Sequence, residues 1–174
     1  DKKTGKDMWK AARDEGTSWS TPLVVEVDGK PQVIVSATKA VRSYDFASGD
    51  LIWECAGMTR NVIPHPMVKD GILYVMSGFR GNAVLAIRLA GAKGDITGTD
   101  AIVWSTDKDT PYTPSGLLYG DYLYFLRANN GSLTCVDAAT GKVRTVVKGR
   151  LACPQGIAVW DSPKGEILFV ADNF

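Results

Sequence analysis

The sequence predicts an all-β fold, a β-propeller made of about three and a half to four antiparallel four-stranded blades. Short runs rich in Val, Ile, Leu and Tyr alternate with turns built from 18 Gly and 8 Pro residues. Helical periodicity is nearly absent. A similar unit recurs along the chain and ends each time in a tryptophan, at Trp9, Trp53 and Trp104. A repeat of about 40 to 50 residues with four short strands is typical of propeller blades.

The repeat divides the single propeller segment, residues 1–174, into blades. Residues 1–10 are expected to be the last strand of a preceding blade, and residues 153–174 the start of a further one. Whole blades are predicted between them, at residues 19–54, 61–105 and 112–146. Within these blades Gly-containing pairs predict tight hairpin turns, because Gly adopts a positive φ without steric cost, at Asp28-Gly29, Asp70-Gly71 and Gly120-Asp121. The middle blade carries a long loop at residues 90–100, a place where function can be added to a rigid scaffold.

Charge and hydropathy narrow the classes of partner. The net charge of +1 gives no reason to expect nucleic acid as a partner. No apolar run approaches the roughly 20 residues needed to span a bilayer, so no transmembrane segment is predicted. The chain begins at Asp1 without an initiating Met, and we expect it to be a piece of a longer protein.

The motif that ends each unit resembles that of the PQQ-like β-propeller repeat family, roughly Ala-x-Asp-x-x-Thr-Gly-Lys-x-x-Trp. Residues 43–53 fit it well, residues 135–142 fit its first part, and residues 4–9 fit its second part. In the third blade Thr145 stands where the tryptophan is expected. The family includes quinoprotein alcohol dehydrogenases and the outer-membrane assembly lipoprotein of bacteria.

This resemblance implies a larger propeller, usually of eight blades, and a bacterial, extracytoplasmic location in the periplasm or cell envelope. An open stack of blades would expose strand edges, so self-association is a further expectation. The enzymes of the family hold a quinone and a calcium ion with carboxylates, and many carry a disulfide between adjacent cysteines. Here no two of Cys55, Cys135 and Cys153 are adjacent. Whether Cys55 and Cys153 pair stays open.

The recurring tryptophans are predicted to be structural. A large aromatic side chain at the end of each outer strand can pack against the neighbouring blade, and its indole N–H then needs an acceptor. Trp19 lies outside this position, before the first inner strand, where it either packs or faces a ligand.

No catalytic constellation is evident, so a non-enzymatic role is preferred, and an enzymatic one stays open as the alternative. His65 is the one histidine, and no c-type haem motif is present. The acidic stretch formed by Asp95, Asp100, Asp107 and Asp109 lacks the ordered spacing of a known calcium loop and is interpreted as solvated. No cofactor or metal is predicted from the residues, and PQQ with calcium would enter only if the chain belonged to a dehydrogenase.

Candidate ligand-binding residues lie in the loops that lead into the inner strands and at the hairpin tips, where propellers commonly meet ligands. Arginine and aromatic side chains there suit a carboxylate, a sugar or a peptide. The hairpin tips include Phe79-Arg80 and residues 127–130. The candidates are Trp19, Arg60, Asn61, His65, Arg80, Tyr112, Arg127 and Gln155.

Three functions are compatible with these residues. The preferred one is a non-catalytic binding or scaffolding propeller for protein, peptide or carbohydrate ligands. The second is a fragment of a PQQ-dependent quinoprotein dehydrogenase whose cofactor residues lie partly outside this segment. The third is a sensor domain of a larger signalling protein such as a kinase.

Overall fold

The computed structural model of the chain describes residues 1–127 and 132–148. Every regular secondary-structure element in these residues is a β-strand, so the predicted all-β class is confirmed. They form three consecutive antiparallel blades, each with its strands hydrogen-bonded in chain order from the inner to the outer edge. The expected further blade at 153–174, together with Cys153 and Gln155, lies outside the described residues.

The strands of each blade are short, as the sequence predicts. Blade I consists of β1 (Leu23–Val27), β2 (Lys30–Val35), β3 (Ala40–Asp45) and β4 (Leu51–Ala56). Blade II consists of β5 (Met67–Lys69), β6 (Ile72–Ser77), β7 (Ala83–Arg88) and β9 (Ile102–Thr106), and its long loop contains the two-residue strand β8 (Gly94–Asp95). Blade III consists of β10 (Leu117–Tyr119), β11 (Tyr122–Leu126), β12 (Ser132–Asp137) and β13 (Val143–Lys148).

The hairpins between the first two strands of blades I and II have the predicted Asp-Gly chemistry. Asp28 and Gly29 both have positive φ, 51° and 75°, and Asp70 and Gly71 repeat this with 50° and 74°. Two successive positive φ values define the turn whose twist matches that of the flanking strands. The turns therefore set the register in which β1 pairs with β2 and β5 with β6.

Each blade also carries the same irregularity where its third strand pairs with its outer strand. The register shifts between Ser43 and Tyr44 in blade I, and at the equivalent points in blades II and III, Ala86/Ile87 and Cys135/Val136. A bulge bends the strand and increases its twist. Its recurrence at one position shows that the repeat extends to backbone geometry.

Two buried clusters hold the blades together face to face. The first joins blade I to blade II, and its members include Ile34, Trp53, Leu73 and Ile87. The second joins blade II to blade III, and its members include Tyr74, Met76, Leu123 and Phe125. The core is therefore a series of inter-blade layers, as expected for a repeat in which each unit contacts its neighbours.

Two tryptophans dock onto the next blade as predicted. Trp104 Nε1 donates to the Ala138 carbonyl at 2.8 Å, and its ring lies over Gly141. Trp9 Nε1 donates to the Phe46 carbonyl at 2.9 Å, and its ring lies over Gly49 in the same way. A Cβ on either glycine would come within 2.6 Å of the indole, so only glycine permits this approach.

Trp53 departs from the prediction that every indole N–H finds an acceptor. Its side chain is fully buried, yet Nε1 has no hydrogen-bond partner among the described residues. Residues 1–10, expected to form a strand, form none, although Trp9 still reaches its docking turn. The docking contact therefore does not require a strand around the tryptophan.

Candidate functional site

Three of the candidate residues come together at one end of blades II and III. Phe79 and Tyr112 stack with ring centroids 4.8 Å apart and planes inclined by 25°. The Arg80 guanidinium carbon lies 5.4 Å from the Phe79 ring centroid, within range of a cation–π interaction. Arg60 forms an isolated antiparallel backbone bridge with Phe79. We refer to Arg60, Phe79, Arg80 and Tyr112 as the arginine–aromatic cluster.

Local backbone chemistry explains why the hairpin tip presents Phe79 and Arg80. The β6–β7 connection reads Gly78-Phe79-Arg80-Gly81, and Arg80 and Gly81 have φ of 52° and 138°. At Gly78 an added Cβ would approach the Pro111 carbonyl oxygen to 2.6 Å. The tip thus packs closely against the segment that carries Tyr112, which brings the two rings into contact.

Buried hydrogen bonds hold the loops around the cluster. Thr110 is fully buried, and its Oγ1 contacts the Ser77 carbonyl at 2.7 Å and Asn82 Oδ1 at 3.0 Å. Thr59 N donates to Ser77 Oγ at 2.9 Å. These bonds link the segment before blade II, the β6–β7 hairpin and the segment before blade III. The loops that carry the cluster are therefore held in place by hydrogen bonds, which reduces the conformational entropy lost on binding.

The two arginines of the cluster are not neutralised by the described part of the chain. No ion pair joins Arg60 or Arg80 to a carboxylate of the described residues, and both residues are exposed. Arg127, by contrast, lies 3.0 Å from Asp109. The cluster thus offers cationic groups and an aromatic stack, whereas the charge of Arg127 is already paired.

The remaining candidates lie nearer the starts of blades I and II. Trp19 is 57% exposed, and its backbone N–H donates to the Val62 carbonyl at 2.8 Å. Asn61, with φ of 56°, donates its N–H to Thr38 Oγ1 at 3.2 Å. Asn61 adjoins Arg60 in the chain, and Trp19 is tied to the same segment through the backbone. Asn61 thus belongs to the segment between β4 and β5 that leads into blade II, and Trp19 is hydrogen-bonded to this segment.

His65 has a packing environment that accounts for its position. Its Nδ1 lies 3.1 Å from the Thr21 carbonyl oxygen, which accepts a hydrogen bond when the proton is on Nδ1. Its backbone N–H donates to Ser115 Oγ at 2.9 Å. His65 therefore links the starts of three successive inner strands. Gln155, the last candidate, lies outside the described residues.

Phe79 belongs to the cluster, although it is not among the ligand-binding residues predicted from the sequence. The sequence placed it at a hairpin tip beside Arg80, but gave no reason for a ring contact across two blades. The signal was an aromatic residue flanked by glycines, Ser77-Gly78-Phe79-Arg80-Gly81, at a tip that would otherwise be polar.

The described residues contain no group of three or more His, Cys, Asp or Glu side chains that could hold a metal ion. Nor do these residues contain a helix long and apolar enough to cross a membrane.

A family model described as outer membrane protein assembly factor BamB matches residues 1–145. The chain belongs to this BamB family. The match confirms the resemblance to the PQQ-like repeat family.

Solved structures with a similar fold include a europium-containing methanol dehydrogenase, 13% identical with a TM-score of 0.49. They also include BamB from Moraxella catarrhalis, 14% identical with a TM-score of 0.41. The similarity covers 75% and 90% of this chain, but only 26% and 59% of those two chains. The chain therefore spans about a quarter of the first and less than two thirds of the second. No curated protein matches the sequence.

Proposed function

We propose that this chain is part of a non-catalytic β-propeller that binds a protein, peptide or carbohydrate ligand through the arginine–aromatic cluster. The observation that carries the proposal is the presence, beside a stacked aromatic pair, of two exposed arginines that have no carboxylate partner among the described residues. Aromatic and arginine side chains on a braced surface are the groups that dominate binding energy at protein interfaces. A ligand carboxylate or hydroxyl would accept hydrogen bonds from the arginines, and an apolar part of the same ligand would pack against the rings.

Membership of a family described as an outer membrane protein assembly factor supports a protein ligand and an extracytoplasmic location for this propeller. The full propeller would have eight blades, and the blades that this chain lacks would lie in other parts of the parent protein. Trp19 and Asn61 lie on or against the segment between β4 and β5, and they would extend the binding surface toward blade I.

The proposal is tested by titrating the protein into fluorescein-labelled peptides and measuring anisotropy. One peptide contains Asp and Glu around a Phe, and its partner peptide carries Asn and Gln instead. Charge-assisted hydrogen bonds contribute about 1.5–3 kcal/mol each, so the double variant Arg60→Gln, Arg80→Gln is expected to weaken binding of the acidic peptide at least tenfold. A double variant at distant exposed lysines, Lys30→Gln and Lys142→Gln, has the same change of charge and serves as the control.

Parallel titrations with neutral oligosaccharides, followed by calorimetry, distinguish a carbohydrate ligand from a peptide. Binding of either probe that depends on Arg60 and Arg80 supports the proposal. Equal binding by the two double variants, or no binding of any probe, would overturn it.

The dehydrogenase interpretation makes a different prediction that is easily separated. The parent protein would be incubated with PQQ and calcium and examined for quinone absorbance and dye-linked oxidation of alcohols. Clear activity would refute a purely non-catalytic role. A sensor domain would be recognised from a signalling module in the sequence that flanks this segment.

A further inference from the structure

The loop of blade II occupies the place of a tryptophan-docking turn. In blades I and III one backbone hydrogen bond closes this turn, from Asp45 N to the Asp50 carbonyl and from Asp137 N to the Lys142 carbonyl. In blade II the same bond joins Arg88 N to the Ala101 carbonyl and encloses a much longer segment. We call this segment, residues 89–100, the blade II insertion.

Trp53 does not make the hydrogen bond that the other two docking turns offer to their tryptophans. In the other two turns the residue after the first Asp supplies the acceptor, Phe46 for Trp9 and Ala138 for Trp104. The equivalent residue in blade II is Leu89, and its carbonyl accepts from Ala92 N at 3.1 Å instead. The buried Trp53 Nε1 has no hydrogen-bond partner among the described residues.

The insertion instead adds a strand to the neighbouring blade. Its β8 segment pairs in parallel with β4, with Gly94 opposite Trp53 and Asp95 opposite Glu54, so that blade I becomes a five-stranded sheet. Ile96 N donates to the Glu54 carbonyl at 2.9 Å. Backbone groups on the outer edge of blade I are thereby satisfied by a segment of blade II.

Side chains of the insertion complete this contact. Ala56 N donates to Thr97 Oγ1 at 2.9 Å, which extends the bonding to the last residue of β4. Ile96 is buried in the same cluster as Trp53 and Leu89. The insertion therefore adds apolar side chains to the buried cluster that contains Trp53, while it bonds to the strand that carries this residue.

The insertion is internally ordered. Asp95 Oδ1 accepts from Thr97 N at 2.9 Å, and Thr99 Oγ1 donates to the Ile96 carbonyl at 2.8 Å. The hydrogen bonds from Thr97 hold the pKa of the Asp95 carboxyl below its ordinary value. These bonds preshape the segment that reaches β4, so ordering it against blade I costs less conformational entropy.

We propose that the blade II insertion is a strap that locks blade I to blade II by strand addition, in place of the tryptophan hydrogen bond used at the other interfaces. The contact between blades II and III depends on Trp104, which is part of β9 itself. The contact between blades I and II depends in addition on one surface segment. Displacing that segment loosens this interface alone and frees the outer edge of β4.

A double-mutant cycle on the full chain tests the strap. In a turn-swap variant, residues 89–100 are replaced by the four residues of the blade I turn, Phe-Ala-Ser-Gly, which restores an acceptor carbonyl and a glycine. Trp53→Phe is then made in both backgrounds. Because Trp53 Nε1 has no partner among the described residues of the natural chain, the substitution is expected to raise the unfolding constant about threefold to tenfold more in the turn-swap background. Trp104→Phe is the control and should have equal effects in both.

A point variant gives a second readout that does not depend on the turn-swap variant folding. Thr97→Val removes the acceptor for Ala56 N, and amide hydrogen exchange at Ala56 is expected to accelerate at least fivefold. Thr99→Val, whose hydroxyl bonds to the backbone of Ile96 and Ala101 and not to β4, is the matched control and should leave this exchange rate unchanged. Unchanged exchange at Ala56 in Thr97→Val, or equal effects of Trp53→Phe in the two backgrounds, would overturn the strap.

Discussion

Replacing Gly141 by alanine tests whether docking of Trp104 is what fastens blade II to blade III. The new Cβ would lie 2.6 Å from two atoms of the Trp104 ring. Gly141 also has φ of 70°, so part of any loss arises from backbone strain rather than from the ring. Gly71→Ala separates the two effects, because Gly71 has φ of 74° and nothing within 4 Å of an added Cβ.

The expected magnitudes follow from these two environments. An alanine forced into the left-handed region costs about 1–2 kcal/mol, and this is the whole loss expected for Gly71→Ala. Overpacking a well-fitted contact adds about 1–3 kcal/mol, which gives about 2–5 kcal/mol for Gly141→Ala. The ring cannot move away without breaking the Trp104 Nε1 hydrogen bond to Ala138.

Urea denaturation followed by far-ultraviolet circular dichroism measures both variants against the natural chain. Gly141→Ala should lower the free energy of unfolding by clearly more than Gly71→Ala does. Equal losses would refute the docking argument, because they would show that backbone strain alone accounts for the loss of stability at Gly141.

Three further predictions concern buried or hydrogen-bonded groups. Hydrogen bonds, chiefly from Ser48 to Asp45 and from Thr140 to Asp137, lower the pKa values of these two carboxyl groups. The stabilising effect of the two carboxylates should therefore be lost as the pH falls below about 4. Between pH 7 and pH 3 the urea midpoint should fall less in the Asn variants than in the natural chain. Burial raises the pKa of the Cys55 thiol to about 11, so iodoacetamide at pH 8 should label it only after unfolding, as peptide mass spectrometry would show; rapid labelling of the folded chain would contradict this. Ser43 Oγ donates to Gln32 Oε1 in the buried centre of blade I, so Ser43→Ala should cost about 1–3 kcal/mol, and adding Gln32→Leu should recover part of it in denaturation experiments.

Much of the blade architecture could be predicted because it depends on local sequence. The Asp-Gly turns specify hairpins by themselves, and the motif Asp-x-x-Ser/Thr-Gly predicts the turns that receive Trp9 and Trp104. In both turns the Asp carboxylate accepts from residues two or three positions further on, an interaction confined to one short segment.

The environment of Trp53 could not be predicted in the same way. It depends on how the blade II insertion folds back across another blade, and neither Gly94 nor Ile96 carries a local signal for parallel pairing with β4. The sequence marks the loop as unusual, but only the three-dimensional arrangement shows that it supplies a strand to blade I and that Trp53 Nε1 has no partner among the described residues.

The candidate site shows the same division. Arg60, Arg80 and Tyr112 were identified because loops before inner strands and hairpin tips lie at one end of a blade. The pairing of Arg127 with Asp109 and the stacking of Phe79 on Tyr112 bring together residues from different segments, at distances that composition and spacing do not specify.

The most direct test of the proposed binding function is to observe the arginine side chains themselves during a titration. In ¹H–¹⁵N correlation spectra, the Nε–Hε signals of Arg60 and Arg80 should shift in a saturable way as the acidic peptide is added. The signals of Arg42 and Arg144, which already pair with Glu54 and Asp137, should stay in place. Saturable shifts confined to Arg60 and Arg80 would support the account, and shifts at Arg42 and Arg144 with none in the cluster would contradict it.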